Sequence, residues 1–232
     1  MVQPAATNPP TTQSVGVDVL PVVETFHSLQ GEGVHGGRSA FFIRLGGCSV
    51  GCRWCDTKHS WPGADHPFSP IAQLGEDAAG AVAAGAAFVV VTGGEPLHHN
   101  LDALCHTLRN TVLNSSGQAV PLHLETSGVD PLSGRFDWIT LSPKRHRPPT
   151  RELLAACHEL KVVVHDRDDL VFAQAMAAAA SAQRAQPPTD PPALLIQPGH
   201  GCAEGQQLAI AFVKTHPLWR LSLQTHKLLG VR

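Results

Sequence analysis

The sequence predicts an α/β fold, a partial and open (β/α) barrel of about six strands, and three observations carry that prediction. Short apolar or β-branched runs alternate with helix-like segments along most of the chain, the pattern of right-handed βαβ units around a parallel sheet. About six such units are too few to close an eightfold barrel. Polar motifs recur directly after the strands: T-G-G-E-P at 92–96, E-T-S-G at 125–128, S-P-K at 142–144 and Q-P-G at 197–199. In parallel α/β architectures ligands bind at the carboxyl ends of the strands, so four such motifs on one rim read as a binding site.

Taken in order, a strand is expected over 22–26, followed by the loop S-L-Q-G-E-G-V-H-G-G at 28–37 with Gln30 and Glu32 as its polar groups. Residues 39–45 read as a strand, aromatic and β-branched and bounded by glycines. Arg44 is its one charge, and a planar guanidinium in an apolar strand calls for a fixed anionic partner. An Ala-rich helix is expected over 69–84, then a buried strand over 87–91, A-F-V-V-V, whose continuous apolar run suits a parallel sheet. A helix over 101–113 and strands over 120–124 and 136–141 come next. A helix near 150–158 leads to a strand over 160–164 that carries Lys161, and a helix over 168–185 runs into a Pro-rich surface loop at 186–192. A strand over 193–196, a helix over 203–214 and a strand over 219–224 finish the core. Residues 225–232 read as a tail, although Gln224, His226 and Lys227 are candidates to close over a ligand.

The chain has 232 residues, 43% hydrophobic and 16% charged, with a formal net charge of −2. That suits one domain with a substantial core over 19–232, preceded by a Pro/Thr/Gln-rich tail over 1–18. The absence of a long basic run argues against nucleic-acid binding. No apolar stretch approaches the roughly 18 residues of a transmembrane helix, and the first residues lack the features of a secretory signal, so a cytoplasmic protein is expected.

Three of the six cysteines, Cys48, Cys52 and Cys55, sit at C-x3-C-x2-C spacing on one glycine-rich loop, and Cys105, Cys157 and Cys202 are scattered. Thiolates are soft ligands, and three on one loop converge on a metal without long-range folding. A four-iron cubane normally takes four thiolates, so three leave one iron open to something other than protein. A Cys3His zinc site with His59 is the competing assignment. Zinc motifs usually pair two short elements, whereas this chain has one dense element. The scattered cysteines read as apolar packers, and histidines such as His98 and His99 as exposed loop residues.

The cysteine triplet resembles the signature of the radical S-adenosylmethionine (SAM) superfamily. The stretch E-T-F-H-S-L-Q-G-E-G at 24–33, the strand F-F-I-R-L at 41–45 and the run W-C-D-T at 54–57 narrow the resemblance to the 7-carboxy-7-deazaguanine synthase family, from about Val22 onward. The resemblance implies a [4Fe–4S] cluster on Cys48, Cys52 and Cys55, with SAM chelating the fourth iron. It implies SAM contacts at Trp54, Gly94, Glu95, Glu125, Ser127, Ser142, Pro143 and Lys144. It implies substrate contacts at Leu29, Gln30, Gly31, Arg44 and Thr92, and Mg2+ at Thr57. The expected reaction converts 6-carboxy-5,6,7,8-tetrahydropterin to 7-carboxy-7-deazaguanine with loss of ammonia and SAM used catalytically, in queuosine or other 7-deazapurine biosynthesis. A flavodoxin- or ferredoxin-type reductant and a homodimer are the partners implied. A glycyl-radical activase shares the cysteine spacing, but the S-L-Q-G-E-G loop with Arg44 points to a small carboxylate substrate.

Overall fold

The computed structural model describes residues 18–184 and 191–231. The expected tail therefore lies outside the described residues apart from Asp18, and the Pro-rich loop apart from 191–192. Among the described residues nine strands form one mixed sheet: β1 (Val19–Leu29), β2 (Ser39–Leu45), β3 (Phe68–Pro70), β4 (Val89–Gly93), β5 (Leu122–Thr126), β6 (Trp138–Leu141), β7 (Glu159–Val164), β8 (Ala193–Pro198) and β9 (Trp219–Leu221). Their order is β3-β1-β2-β4-β5-β6-β7-β8-β9. From β2 to β9 seven strands run parallel, each of them read as a strand from sequence although the expected barrel has about six, while β1 lies antiparallel to both β2 and β3. Strand β1 is also longer than expected and absorbs the start of the S-L-Q-G-E-G motif. The three-residue β3 carries no apolar periodicity that would have announced it.

Helices cover one face. Helix α1 (Ile71–Ala83) buries Ile71, Leu74, Ala78 and Ala81, a stripe at helical spacing that lies against the sheet. Helices α2 (Asp102–Thr111), α3 (Arg151–Ala156), α4 (Arg167–Ala182) and α5 (Ala203–Thr215) follow. A capping box between Asp166 and Asp169 starts α4, satisfying orphan amides at the helix terminus. The segment read as a C-terminal tail is partly ordered instead, as helix α6 (Thr225–Leu229). Its Thr225 N–H donates to Gly31 O at 2.9 Å, an anchor that no local sequence pattern announces.

Alternation along the strands builds the cavity. In β2, Phe41, Ile43 and Leu45 join the helix-side core; in β4 Val89 and Val91 do so, in β5 Leu122 and Leu124, and in β6 Ile139 and Leu141. The opposite parity faces inward and carries Arg44, Thr92, Glu125, Thr140 and Lys161, all lining one cavity. Register sets these groups side by side, with Arg44 opposite Thr92 and Glu125 opposite Thr140. Below them Ala40, Phe42, Phe88 and Val90 make a separate apolar cluster. His123 stacks on Phe88 at 4.2 Å between ring centroids, and burial holds its pKa down at about 3. The concave side therefore has an aromatic floor and a polar upper tier.

Candidate functional site

The cavity measures about 500 Å³, within the range of small-molecule sites. One wall is the cysteine loop that follows β2. Its amides are committed in turn: Gly46 N–H to Pro21 O at 2.8 Å, Gly47 N–H to Ser60 O at 2.7 Å and Cys48 N–H to Trp61 O at 3.0 Å. Side chains from later loops finish the hold. His99 bonds Gly46 O at 2.8 Å, His146 bonds Val50 O at 3.0 Å and Arg147 donates to Ser49 O at 2.7 Å. His98 accepts from Ser49 N–H at 3.0 Å. His98 and His99 are thus half-buried parts of the loop's support rather than exposed loop residues.

Cys48, Cys52 and Cys55 are all free thiols lining the cavity. Burial pushes the Cys48 and Cys52 thiols up, against the backbone bonds from Val50 and Gly51 at Cys48 and the charge of Lys144 near Cys52. Among the described residues no three His, Cys, Asp or Glu side chains converge as they would on a single ion. His59 is exposed, its carbonyl bonded by His66 at 2.9 Å. A tetrahedral zinc ion needs all its ligands within about 2.3 Å, whereas a cubane takes its thiolates at separate corners. The donor set fits the cluster better.

The facing wall is a hydrogen-bonded charge network. Glu125 accepts from Gln30 Nε2 at 2.9 Å and from Thr92 Oγ1 at 2.8 Å. Lys161 is buried and ion-paired with Glu32, which also accepts from Gln224 Nε2 at 2.7 Å. Burial alone would raise the Glu32 pKa, but the Lys161 charge and these bonds hold it at about 2. The same acidic neighbours push Lys161 above its ordinary value despite its burial. Val34 N–H donates to Glu159 at 2.9 Å and Gly33 N–H to Ser222 Oγ at 3.1 Å, so the β1–β2 loop bridges the two ends of the sheet. Helix α6 roofs this wall: Lys227 pairs with Asp56 at 2.5 Å, and His226 packs so closely on Gly31 that a Cβ there would lie 2.0 Å from its ring.

Between the walls lies the T-G-G-E-P turn. Gly93 has φ +141°, and a Cβ on it would fall 2.2 Å from Leu45 O, so only glycine fits there. The Glu95 carboxylate is buried and accepts from Leu97 N–H at 3.1 Å, Thr126 Oγ1 at 2.5 Å, Ser127 N–H at 2.8 Å and Ser127 Oγ. Those four bonds occupy the acceptor capacity of a carboxylate. Lys144 is different: its hydrogen bond is to the neutral Ser142 Oγ at 2.8 Å, and burial lowers its pKa. Trp54 packs against His165, with ring centroids 4.8 Å apart.

Arg44 has the anionic partner its position required, Glu24 at 3.0 Å on the neighbouring strand. Every residue assigned from sequence to the cluster, SAM, the substrate or Mg2+ lines the cavity except Pro143, which is buried beside it, whereas His59 does not line it. Thr57 lines it too, 3.5 Å from the Cys55 sulfur. Lys161, Thr140, Gln197 and His200 also line the cavity without having been assigned a role. Lys161 carried the same signal as Arg44, a lone cation in an apolar strand.

The chain is 55% identical over 220 residues to the 7-carboxy-7-deazaguanine synthase of Prochlorococcus marinus, covering 91% of this chain and 98% of that protein. The chain belongs to the 7-carboxy-7-deazaguanine synthase family. The synthase of Synechocystis is 47% identical, covering 91% and 93%, and that of Escherichia coli K12 is 32% identical, covering 91% and 98%. A crystal structure of QueE from Escherichia coli superposes with a TM-score of 0.74 at 29% identity, covering 90% of this chain and 95% of that one. No family model matches the chain. Membership makes this chain a radical SAM synthase of deazapurine biosynthesis. Among the described residues no helix is long and apolar enough to cross a membrane.

Proposed function

We propose that the chain converts 6-carboxy-5,6,7,8-tetrahydropterin to 7-carboxy-7-deazaguanine with loss of ammonia, using SAM catalytically, within a partial (β/α) barrel spanning 19–232. The observation that carries this reading is one cavity lined by three free cysteines on one side and a satisfied polar network on the other. The residues fit a [4Fe–4S] cluster and SAM, which when bound supply the one-electron chemistry that starts the rearrangement.

Cys48, Cys52 and Cys55 hold three corners of the cluster. Lys144, a half-buried cation whose hydrogen bond goes to a neutral hydroxyl, would take the SAM carboxylate, with Ser142 and Pro143 shaping its turn. Gly94 and Glu95 serve the amino end of SAM. The Glu95 carboxylate, whose acceptor capacity is filled within the protein, would take the SAM ammonium in place of a hydroxyl donor. Trp54 offers its ring to adenine, and Glu125 and Ser127 meet the ribose. Arg44, oriented by Glu24, clamps the pterin carboxylate, while Leu29, Gln30, Gly31 and Thr92 border the ring. Thr57 would offer one oxygen to Mg2+, the remaining donors coming from outside this side chain. Holding the substrate in one pose beside SAM is the protein's main contribution to rate.

The reaction belongs in the cytoplasm, with electrons from a flavodoxin- or ferredoxin-type protein. The edge strand β9 and the exposed Leu218 and Leu228 support a homodimer. The test is anaerobic reconstitution with iron and sulfide, then SAM, dithionite, Mg2+ and the pterin, followed by mass analysis. Several turnovers of 7-carboxy-7-deazaguanine without net loss of SAM are expected. Cleavage of SAM without a deazapurine would overturn the substrate, and a colourless zinc protein would overturn the cofactor.

A further inference from the structure

We infer that His98 and Asp130 are a positioning pair that turns the Ser49 amide away from the sulfur of Cys48, and that this fixes the reduction potential and retention of the cluster. The inference rests on the cluster-binding reading of the loop.

A backbone N–H can only donate, so His98 Nε2, 3.0 Å from Ser49 N, is an acceptor. The ring proton therefore sits on Nδ1, where Asp130 Oδ2 receives it at 2.5 Å. The carboxylate sets the tautomer and the tautomer holds the amide, as outer carboxylates do for metal-bound histidines. Arg147 completes the grip, bonding Ser49 O at 2.7 Å and Ser49 Oγ at 3.0 Å. Of the successive amides from Gly46 to Ser49, the first three donate to backbone carbonyls and Ser49 alone to a side chain. His98 follows β4, Asp130 follows β5 and Arg147 follows β6, so three separate rim loops close on one peptide. None of the three lines the cavity, and their action is through the loop rather than on a ligand.

Ser49 directly follows Cys48, so its amide, once released by His98, is a donor beside a cluster sulfur. Each further donor to a cluster sulfur raises the reduction potential, because it stabilises the more negative reduced state. Withholding the Ser49 donor keeps the potential low, which a cluster that must reduce SAM requires.

The test compares the full-length wild type with His98→Ala, His98→Gln and Asp130→Ala. In cluster-free protein, exchange of the Ser49 amide should speed up about fivefold in His98→Ala, as for loss of one hydrogen bond. His98→Gln, whose amide oxygen reaches the same acceptor position, should restore protection. In reconstituted protein, His98→Ala should show a higher midpoint potential by EPR-monitored titration and faster iron loss to a chelator. Asp130→Ala should move both in the same direction by less. Wild-type exchange and potential in His98→Ala would overturn the inference. Should that variant not fold, the same result in Asp130→Ala would do so. A wild type that takes up no cluster would instead overturn the cofactor reading.

Discussion

The two walls of the cavity are built on opposite terms. On the wall formed by the β1–β2 loop, β5, β7 and α6, ionised groups meet partners inside the protein: Glu32 meets Lys161 and Gln224, and Glu125 meets Gln30 and Thr92. The cysteine wall is held as firmly through its backbone, yet its reactive groups are left open. Its three thiols are free, and Lys144 beside them is bonded to a neutral hydroxyl. One wall is preorganised by what it has already bound; the other is preorganised around what it has still to bind.

Mutations should separate the walls. Cys48→Ala has the largest expected effect: cluster uptake falls to background in iron and sulfide analysis while the fold persists. Lys161→Met strips Glu32 of its buried counter-charge and should cost about 3–5 kcal/mol of unfolding free energy, read by urea titration. Acid should act on the same wall. The folded-state pKa of Glu32 is depressed from 4.5 to about 2, so its contribution, about 3 kcal/mol, is complete above pH 4.5 and lost as pH falls toward 2. Unfolding followed across that range should show the loss in the wild type and a much smaller one in Glu32→Gln. Lys144→Met should be the mildest for the fold, within about 1 kcal/mol, because no protein anion is orphaned. It should nevertheless weaken SAM binding by about tenfold or more by calorimetry. If Lys144→Met destabilised the fold as much as Lys161→Met, the contrast between the walls would collapse.

The difference between the walls also explains what could be read from sequence. The cysteine wall is local: its ligands lie within eight residues, from Cys48 to Cys55, so spacing alone announces them. The rim motifs are legible because each ends a strand. Arg44 and Lys161 are equally visible as single charges in apolar strands, yet only the first was given a role, since the partner of Lys161 is Glu32, 129 residues away. The roof was half legible: Gln224, His226 and Lys227 read as candidates to close over a ligand and do line the cavity, but nothing in T-H-K-L-L records the helix or its anchor, because Thr225 and Gln224 are fixed by Gly31 and Glu32 across the whole sheet. His98 and His99 were misjudged because their bonds run to backbone atoms of a loop some fifty residues earlier. The strand missed outright is β3, whose three residues Phe68–Pro70 are too short to show an alternation.

Since neighbouring residues of each strand face opposite sides, stability and chemistry are written on alternate codons. Substitutions in the helix-facing set, such as Ile43, Val91 or Leu124, can drift in size while the inward set stays intact, and the inward set can be retuned over an unchanged core. Deleting one codon within a strand has no such freedom: in β7 it would carry Lys161 into the apolar layer and a valine or leucine into its place. The two layers can evolve separately by substitution, but a single indel puts both at risk.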